Sequence, residues 1–257
     1  MPWFDTHVHL DRYPAAARTA LLERARAAGV ARVLAVATDC ASSRRVVRLP
    51  YGVYKAVGVH PLRAGEGVCP ELEALALRPG VVAIGETGFD GAGPPFATQE
   101  AVFRTQCALA RRLDRAVVLH IVGDGAWQAL CSAADALAGL RVLRHYFTGA
   151  VAQAAWHAER GHWLSFGRPL LRDPALQDLA RDYPAARLLI ETDSYPLLGR
   201  RTEPRDVAEV GGTLARLRGW SGEECAARLW QNGGAALRVC SQAVDAVRED
   251  GGNDDPA

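Results

Sequence analysis

The sequence is short of lysine and of net charge. It contains 30 basic and 29 acidic residues among 257, which gives a formal net charge of +1, and Lys55 is its only lysine. Such a balance gives no global electrostatic reason to expect nucleic acid as a partner. We attribute the preference for arginine to composition bias, so any phosphate-binding surface must be local.

The sequence also lacks paired cysteines and long apolar runs. None of its cysteines are spaced as C-x-x-C, so we expect buried thiols of a reducing compartment rather than disulfides. No run approaches the roughly 20 apolar residues that span a membrane. The first residues lack the basic and apolar regions of a signal peptide. We therefore expect a cytoplasmic protein with no membrane partner.

Short apolar runs alternate with amphipathic helical stretches along the chain. The runs are Trp3–His9, Arg32–Thr38, Val53–His60, Val81–Glu86, Ala116–Ile121, Arg141–Tyr146, His162–Gly167 and Leu188–Asp193. Several are continuously apolar, as is typical of strands buried on both faces. The pattern predicts an α/β fold, a single-domain (β/α)8 TIM barrel over residues 1–240, with a disordered tail over 241–257. A doubly wound sheet is the rival, but no G-x-G-x-x-G follows the first run.

Side chains able to bind metal stand at the ends of five of these runs. They are His7, His9, Glu86, His120, His145 and Asp193. Taken singly, each has an ordinary interpretation as a hydrogen-bonded histidine or a helix-capping carboxylate. The carboxyl ends of barrel strands converge on one face, however, and alternate strand residues point the same way. Their joint occurrence at matching positions therefore predicts one metal site.

The composition of this set indicates the metal and the number of ions. Imidazole and carboxylate ligands suit Mn, Zn, Co or Fe, and Mg in more open sites. Four histidines and two carboxylates exceed the needs of one tetrahedral ion, so we expect two divalent ions with Glu86 as the bridge. His157 and His162 fall in a helix–strand connection and are expected to be structural.

Five segments of the chain resemble the TatD family of metal-dependent hydrolases. They are residues 4–10 (FDTHVHL), 56–61 (AVGVHP), 84–90 (IGETGFD), 145–149 (HYFTG) and 189–194 (LIETDS). Residues 103–106, the pair Glu203–Pro204 and Asn232 also fit the family pattern, so the resemblance extends to about residue 240.

The resemblance implies phosphodiester hydrolysis, commonly of DNA, by a metal-activated water. By position, His7, His9, Glu86 and Asp193 would hold one ion, and Glu86, His120 and His145 the second. His60 would contact the scissile phosphate, and Asp193 would orient or deprotonate the attacking water. These roles make Asp193, Glu86 and His60 the expected catalytic residues. Single-stranded DNA ends are the favoured substrate, and a monomer is the favoured state.

Some positions depart from the family pattern, and the substrate stays open. Val122 replaces a common arginine, Thr202 a common asparagine, and residues 91–95 form an unusually apolar loop. An ester or amide hydrolase, such as a deacylase of charged tRNA, and a non-catalytic metal-binding partner protein are the alternatives. The loop aromatics Phe89, Phe96, Phe147 and Tyr195 could stack on bases or pack within the protein.

Overall fold

The computed structural model describes residues 2–50, 52–197 and 202–239. Eight parallel strands follow one another around a single sheet in sequence order. They are β1 (Trp3–Val8), β2 (Val30–Val36), β3 (Tyr54–Val57), β4 (Val81–Asp90), β5 (Ala116–Val122), β6 (Val142–Arg144), β7 (Trp163–Phe166) and β8 (Leu188–Ile190).

The sheet closes on itself where its last strand meets its first. Val8 forms a parallel bridge with Ser194. Asp193 N donates to His7 O at 2.9 Å, and His9 N donates to Ser194 O at 3.0 Å. The predicted (β/α)8 barrel is confirmed, because an open doubly wound sheet would leave these two edges apart.

Helices cover the outside of the barrel. They are α1 (Ala15–Ala27), α2 (Cys40–Val46), α3 (Leu72–Ala76), α4 (Phe96–Arg112), α5 (Ala126–Ser132), α6 (Val151–Glu159), α7 (Pro174–Asp182), α8 (Val207–Arg218) and α9 (Gly222–Leu237). Sequence patterning missed α2, which is short and polar. It begins after Asp39, whose side chain accepts from Ser42 N at 2.7 Å. No helix in the described ranges is long and apolar enough to cross a membrane.

The core is divided by the barrel wall. Inside the barrel, Phe4, Leu34, Val118 and Leu189 pack with Trp230 of α9. Two larger apolar clusters fill the space between the strands and the helices. Because both strand faces are buried, the strands read as apolar runs, which explains why the sequence located them.

Several strand ends differ from the prediction. β4 continues to Asp90 instead of ending at Glu86, whereas β8 ends at Ile190, three residues before Asp193. Asp193 adopts a left-handed backbone conformation, with φ of 48°, that a regular strand does not allow. The predicted tail at 241–257 lies outside the described residues.

Candidate metal centre

The four side chains expected to hold the first ion converge at the carboxyl end of the barrel. His9 Nε2 lies 3.4 Å from His7 Nε2 and 3.3 Å from Asp193 Oδ1. Glu86 Oε2 lies 3.5 Å from His7 Nε2 and 3.8 Å from His9 Nε2. His7 lies in β1, His9 directly follows it, and Asp193 lies in the segment after β8.

A second group of ligand atoms surrounds the other oxygen of the same glutamate. Glu86 Oε1 lies 2.7 Å from His145 Nε2 and 2.9 Å from His120 Nδ1, and these two nitrogens are 3.1 Å apart. His60 Nε2 lies 3.5 Å from Glu86 Oε1 and 3.3 Å from His120 Nδ1. Glu86 thus offers one oxygen to each group, the arrangement that a bridging carboxylate requires.

An irregularity in β4 brings Glu86 into this central position. The β4–β5 register shifts between Ile84 and Thr87, and Gly85 has φ of 142°. A side chain at Gly85 would place its Cβ 2.7 Å from Val118 O, so only glycine fits there. Glu86 N then donates to Ala37 O, beyond the end of β2, at 3.0 Å instead of continuing the ladder.

Hydrogen bonds on the outer side fix three of the histidine rings. His9 Nδ1 donates to Val36 O at 2.9 Å, and His145 Nδ1 lies 3.3 Å from Glu191 Oε1. His120 Nε2 lies 2.9 Å from Asp90 Oδ2. Because these oxygens are acceptors, each of these three nitrogens holds a proton outward, which leaves the other ring nitrogen to face the cluster, where a metal ligand would coordinate.

The cluster also perturbs its own proton equilibria. Burial would lower the pKa of His145, but the Glu86 and Glu191 carboxylates raise it to about 10. Burial would raise the pKa of Glu86, but the surrounding histidines, first among them His145, hold it well below its usual range. These carboxylates attract positive charge, which the His145 proton supplies here and which divalent cations would supply when bound.

The donor set fits the ions predicted from the sequence. Three groups of described residues each bring ligand atoms within 4.8 Å of one another: His7, Glu86 and His145; His7, His9 and Asp193; and His60, Asp90 and His120. Only imidazole nitrogens and carboxylate oxygens take part, which suits Mg, Mn, Zn or Co. The chemistry of these side chains therefore fits the cations that the sequence implies.

The ligands form the floor of an open cavity of about 450 Å³. Two arginines line the cavity. Arg12 Nη2 donates to Thr38 Oγ1 at 3.5 Å, and its guanidinium lies 5.5 Å from the centre of the Tyr195 ring. Arg63 is exposed, with Nε 3.1 Å from Glu66 Oε1 and Nη2 3.8 Å from Asp39 Oδ2. The cavity lining therefore carries positive as well as negative side chains.

Sequence reasoning missed four residues of this site. Asp90 and Glu191 lie within the segments that resemble the family, but the sequence predicts no role for them. The general preference for arginine hides Arg12 and Arg63. The spacing Glu191-x-Asp193 at a strand end resembles His7-x-His9 and could have indicated a second functional carboxylate.

The structure separates the four loop aromatics. Phe89 and Phe147 are buried in the apolar clusters outside the barrel, and Phe96 packs against one of them. Of the two alternatives, packing within the protein therefore applies to Phe89 and Phe147, because neither lines the catalytic cavity. Tyr195, by contrast, lines the cavity beside His9, with 6.0 Å between ring centres.

Other positions singled out in the sequence lie around the rim or behind the strands. Val122 is 47% exposed, and Thr202 is buried, where its carbonyl oxygen accepts from Tyr13 Oη at 3.3 Å. His157 and His162 are buried outside the catalytic cavity, with their Nδ1 atoms 3.0 Å apart.

Comparisons with known proteins agree with this geometry. A profile of the family described as TatD related DNase matches residues 4–237. The uncharacterised metal-dependent hydrolase YabD of Bacillus subtilis is 31% identical, with 92% of this chain and 99% of the relative covered. A 3′-5′ ssDNA/RNA exonuclease TatD of Pantoea vagans is 34% identical, with 92% of this chain and 99% of the relative covered.

A solved structure of a homologue has the same fold. The crystal structure of YJJV, a TatD homologue from Escherichia coli K12, superposes with a TM-score of 0.81 at 28% identity. The match covers 93% of this chain and 98% of that one. The chain therefore belongs to the TatD related DNase family and is a metal-dependent hydrolase.

Proposed function

We propose that this hydrolase cleaves phosphodiester bonds in DNA, removing nucleotides from single-stranded ends. The observation that carries the proposal is the position of Glu86, which presents one carboxylate oxygen to each of two ligand groups at the floor of an open cavity. Paired cation sites of this kind suit in-line displacement at phosphorus.

Each group would hold one divalent cation, drawn from Mg, Mn, Zn and Co. His7, His9, Glu86 and Asp193 would bind the first, and Glu86, His120 and His145 the second. When bound, such cations lower the pKa of water toward neutrality and polarise phosphoryl oxygens. The remaining chemistry falls to the side chains around them.

Asp193 is suited to take the proton of the attacking water. Burial would raise its pKa, but the hydrogen bond from His9 and the neighbouring histidines lower it, so the carboxylate is ionised near neutral pH. Its side chain is 18% exposed and lines the cavity, so water can reach it. We assign it the role of general base.

His60 is suited to bind the substrate instead of a cation. Its Nδ1 accepts a hydrogen bond from Leu62 N at 3.1 Å, and burial lowers its pKa to about 4. The neutral ring therefore keeps its proton on Nε2, the atom that faces the ligand groups. That N–H would donate to a phosphoryl oxygen as charge develops in the transition state.

The cavity supports an anionic strand end as substrate. Arg12 and Arg63 line it, and they would neutralise phosphates flanking the scissile bond. Tyr195 offers an aromatic face for a base. The names of two relatives, 3′-5′ ssDNA/RNA exonuclease TatD, support this class of substrate. Ester or amide hydrolysis is the alternative, but an uncharged substrate would make no use of the two arginine charges in the cavity.

The test is digestion of an end-labelled single-stranded oligonucleotide by metal-stripped protein, with Mg, Mn, Zn or Co restored singly. Glu86→Ala should abolish shortening, whereas Glu23→Ala, which removes an exposed acid on α1, should leave it unchanged. Absence of cleavage with every ion, in protein that binds metal, would remove DNA as the substrate. Acyl-ester and small phosphodiester panels would then test the alternative.

A further inference from the structure

A second pocket, of about 200 Å³, lies behind the strands that carry His120 and His145. Its walls include Val122, Trp127, Arg144, Thr148, Gln153 and His157. Side chains alternate along a strand, so Arg144 points away from the barrel interior that receives its neighbour His145. The pocket therefore lies between β5, β6 and the helices α5 and α6, and it shares no lining residue with the catalytic cavity.

Arg144 brings a buried positive charge to this pocket. Its side chain is 5% exposed and donates to two backbone carbonyl oxygens, Ile121 O at 2.6 Å and His145 O. Within the described ranges, no carboxylate lies at ion-pair distance from it. A guanidinium keeps its charge in proteins, so this buried group is a cation. A buried cation without a contacting anion is costly, and a ligand could relieve that cost.

His157 adds a buried polar atom without a partner. Its ring is fully buried, its Nδ1 lies 3.0 Å from His162 Nδ1, and its Nε2 has no hydrogen-bond partner. When His162 donates across that contact, His157 must carry its own proton on Nε2, as an unused donor. Buried polar groups are nearly always satisfied, so the orphan nitrogen is a second, independent indication of a missing ligand.

The remaining lining favours an anion over any other ligand. None of the lining side chains is acidic. Gln153 Oε1 accepts from Ala150 N at 3.2 Å, which leaves the amide nitrogen of Gln153 as the group free to donate. Thr148 and Gly149 lead into the amino end of α6, where the helix dipole also favours negative charge.

We propose that this pocket binds a tetrahedral oxyanion of the phosphate class, held by Arg144 and His157. Water occupies about 30 Å³ in the liquid. The pocket therefore has room for one such ion and a few waters. The phosphate could be inorganic phosphate or the terminal phosphate of a nucleic acid strand; the second source rests on the proposed function.

Soaking crystals of the metal-loaded protein with inorganic phosphate, and separately with the heavier tungstate, tests the site directly. We expect density between Arg144 and His157 in the wild type and in Arg172→Met, which removes an exposed arginine elsewhere. Arg144→Met should lose that density, and His157→Phe should weaken it. Density confined to the catalytic cavity, or unchanged in Arg144→Met, would overturn the proposal.

Two further measurements distinguish inorganic phosphate from a terminal phosphate of the substrate as the ligand. If the substrate supplies the phosphate, trinucleotides with a terminal phosphate should show a KM about tenfold lower than those without, and Arg144→Met should remove that difference. If free phosphate is the ligand, the two KM values should agree, and phosphate should raise the melting temperature of the wild type more than that of Arg144→Met.

Either result supports an oxyanion pocket, and the absence of both contradicts it. Should circular dichroism show that Arg144→Met is unfolded, Arg144→Lys and His157→Phe carry the same comparison. The soaks need no turnover, so a failure of the nuclease proposal would be visible separately from a failure of this one.

Discussion

Asp90 Oδ2 lies 2.9 Å from His120 Nε2, on the side of the ring that faces away from Glu86. The carboxylate is itself fixed, because its other oxygen accepts from Ala92 N at 2.9 Å and its backbone N–H donates to Gln99 Oε1 at 2.8 Å. Asp90 thereby sets both the tautomer and the orientation of His120. Such outer partners contribute strongly to the affinity of a metal site.

Replacing Asp90 with asparagine should weaken the second ion selectively. The amide keeps the shape of the side chain but removes the charge that holds the proton on His120 Nε2. We expect the affinity for the weaker of two bound ions to fall by about 10- to 100-fold. Calorimetric titration of metal-stripped protein measures this, with Asp124→Asn as an exposed control. Two unchanged binding steps would show that Asp90 has no positioning role.

Metal stoichiometry should distinguish Glu86 from the other ligands. Because Glu86 faces both groups, Glu86→Ala should lose both ions, whereas His120→Ala should retain one. Elemental analysis of dialysed protein gives the ratio of metal to chain. A Glu86→Ala protein with two ions per chain would contradict the bridging role.

His60 should affect turnover without affecting metal content. Loss of one donor to a developing oxyanion typically lowers kcat by about 10²- to 10³-fold. His60→Phe should show a loss of that size while binding the same number of ions as the wild type. His9→Ala provides the comparison, since it should lose metal and activity together. Loss of an ion from His60→Phe would instead identify His60 as a ligand.

The two cavity arginines should control the salt dependence of substrate binding. Each lost phosphate contact should reduce the slope of log affinity against log salt by about 0.7 for a single strand. Arg12→Ala and Arg63→Ala should each show this change in filter binding, measured with Glu86→Ala as the background. Arg48→Ala, at an exposed site just beyond the carboxyl end of α2, is the matched control. Equal slopes for all variants would exclude phosphate contacts by Arg12 and Arg63.

The free energy of unfolding should depend strongly on Trp230, which lies at the inner base of the barrel. Its ring packs on Phe4 and lies 3.7 Å beneath the guanidinium of the buried Arg32. Trp230→Ala should lower the free energy of unfolding by about 3–5 kcal/mol, since it leaves a cavity and uncovers a cation. Urea denaturation followed by circular dichroism measures the change. Leu77→Ala, at a 60% exposed site, should alter it little.

The sequence predicted the barrel and the metal-capable residues because both depend on local patterns. Strands buried on both faces leave continuous apolar runs, and His7-x-His9 follows strand alternation. The pattern also indicated Glu86 as the bridge, but not how it reaches that position, since this depends on the fit of Gly85 against Val118 O in the next strand. The pairing of Asp90 with His120 was equally hidden, because 30 residues separate them.

The sequence also could not predict whether side chains near the strand ends point toward the cavity or into the core. Phe89 lies near the end of β4 and Phe147 follows β6, at positions whose direction composition does not indicate, and both pack in the core. The position of Arg144 was equally unpredictable. A charged residue inside an apolar run does not indicate the pocket into which its side chain points.

The closure of the barrel has a consequence for when the protein becomes active. Asp5 accepts from Thr192 Oγ1 at 2.6 Å, a contact between residues 187 positions apart, and Asp193 meets His7 and His9 at the same seam. A growing polypeptide therefore lacks one wall of this cluster until it has been made beyond residue 193. Synthesis and assembly of the cluster are coupled, so shorter chains cannot complete it.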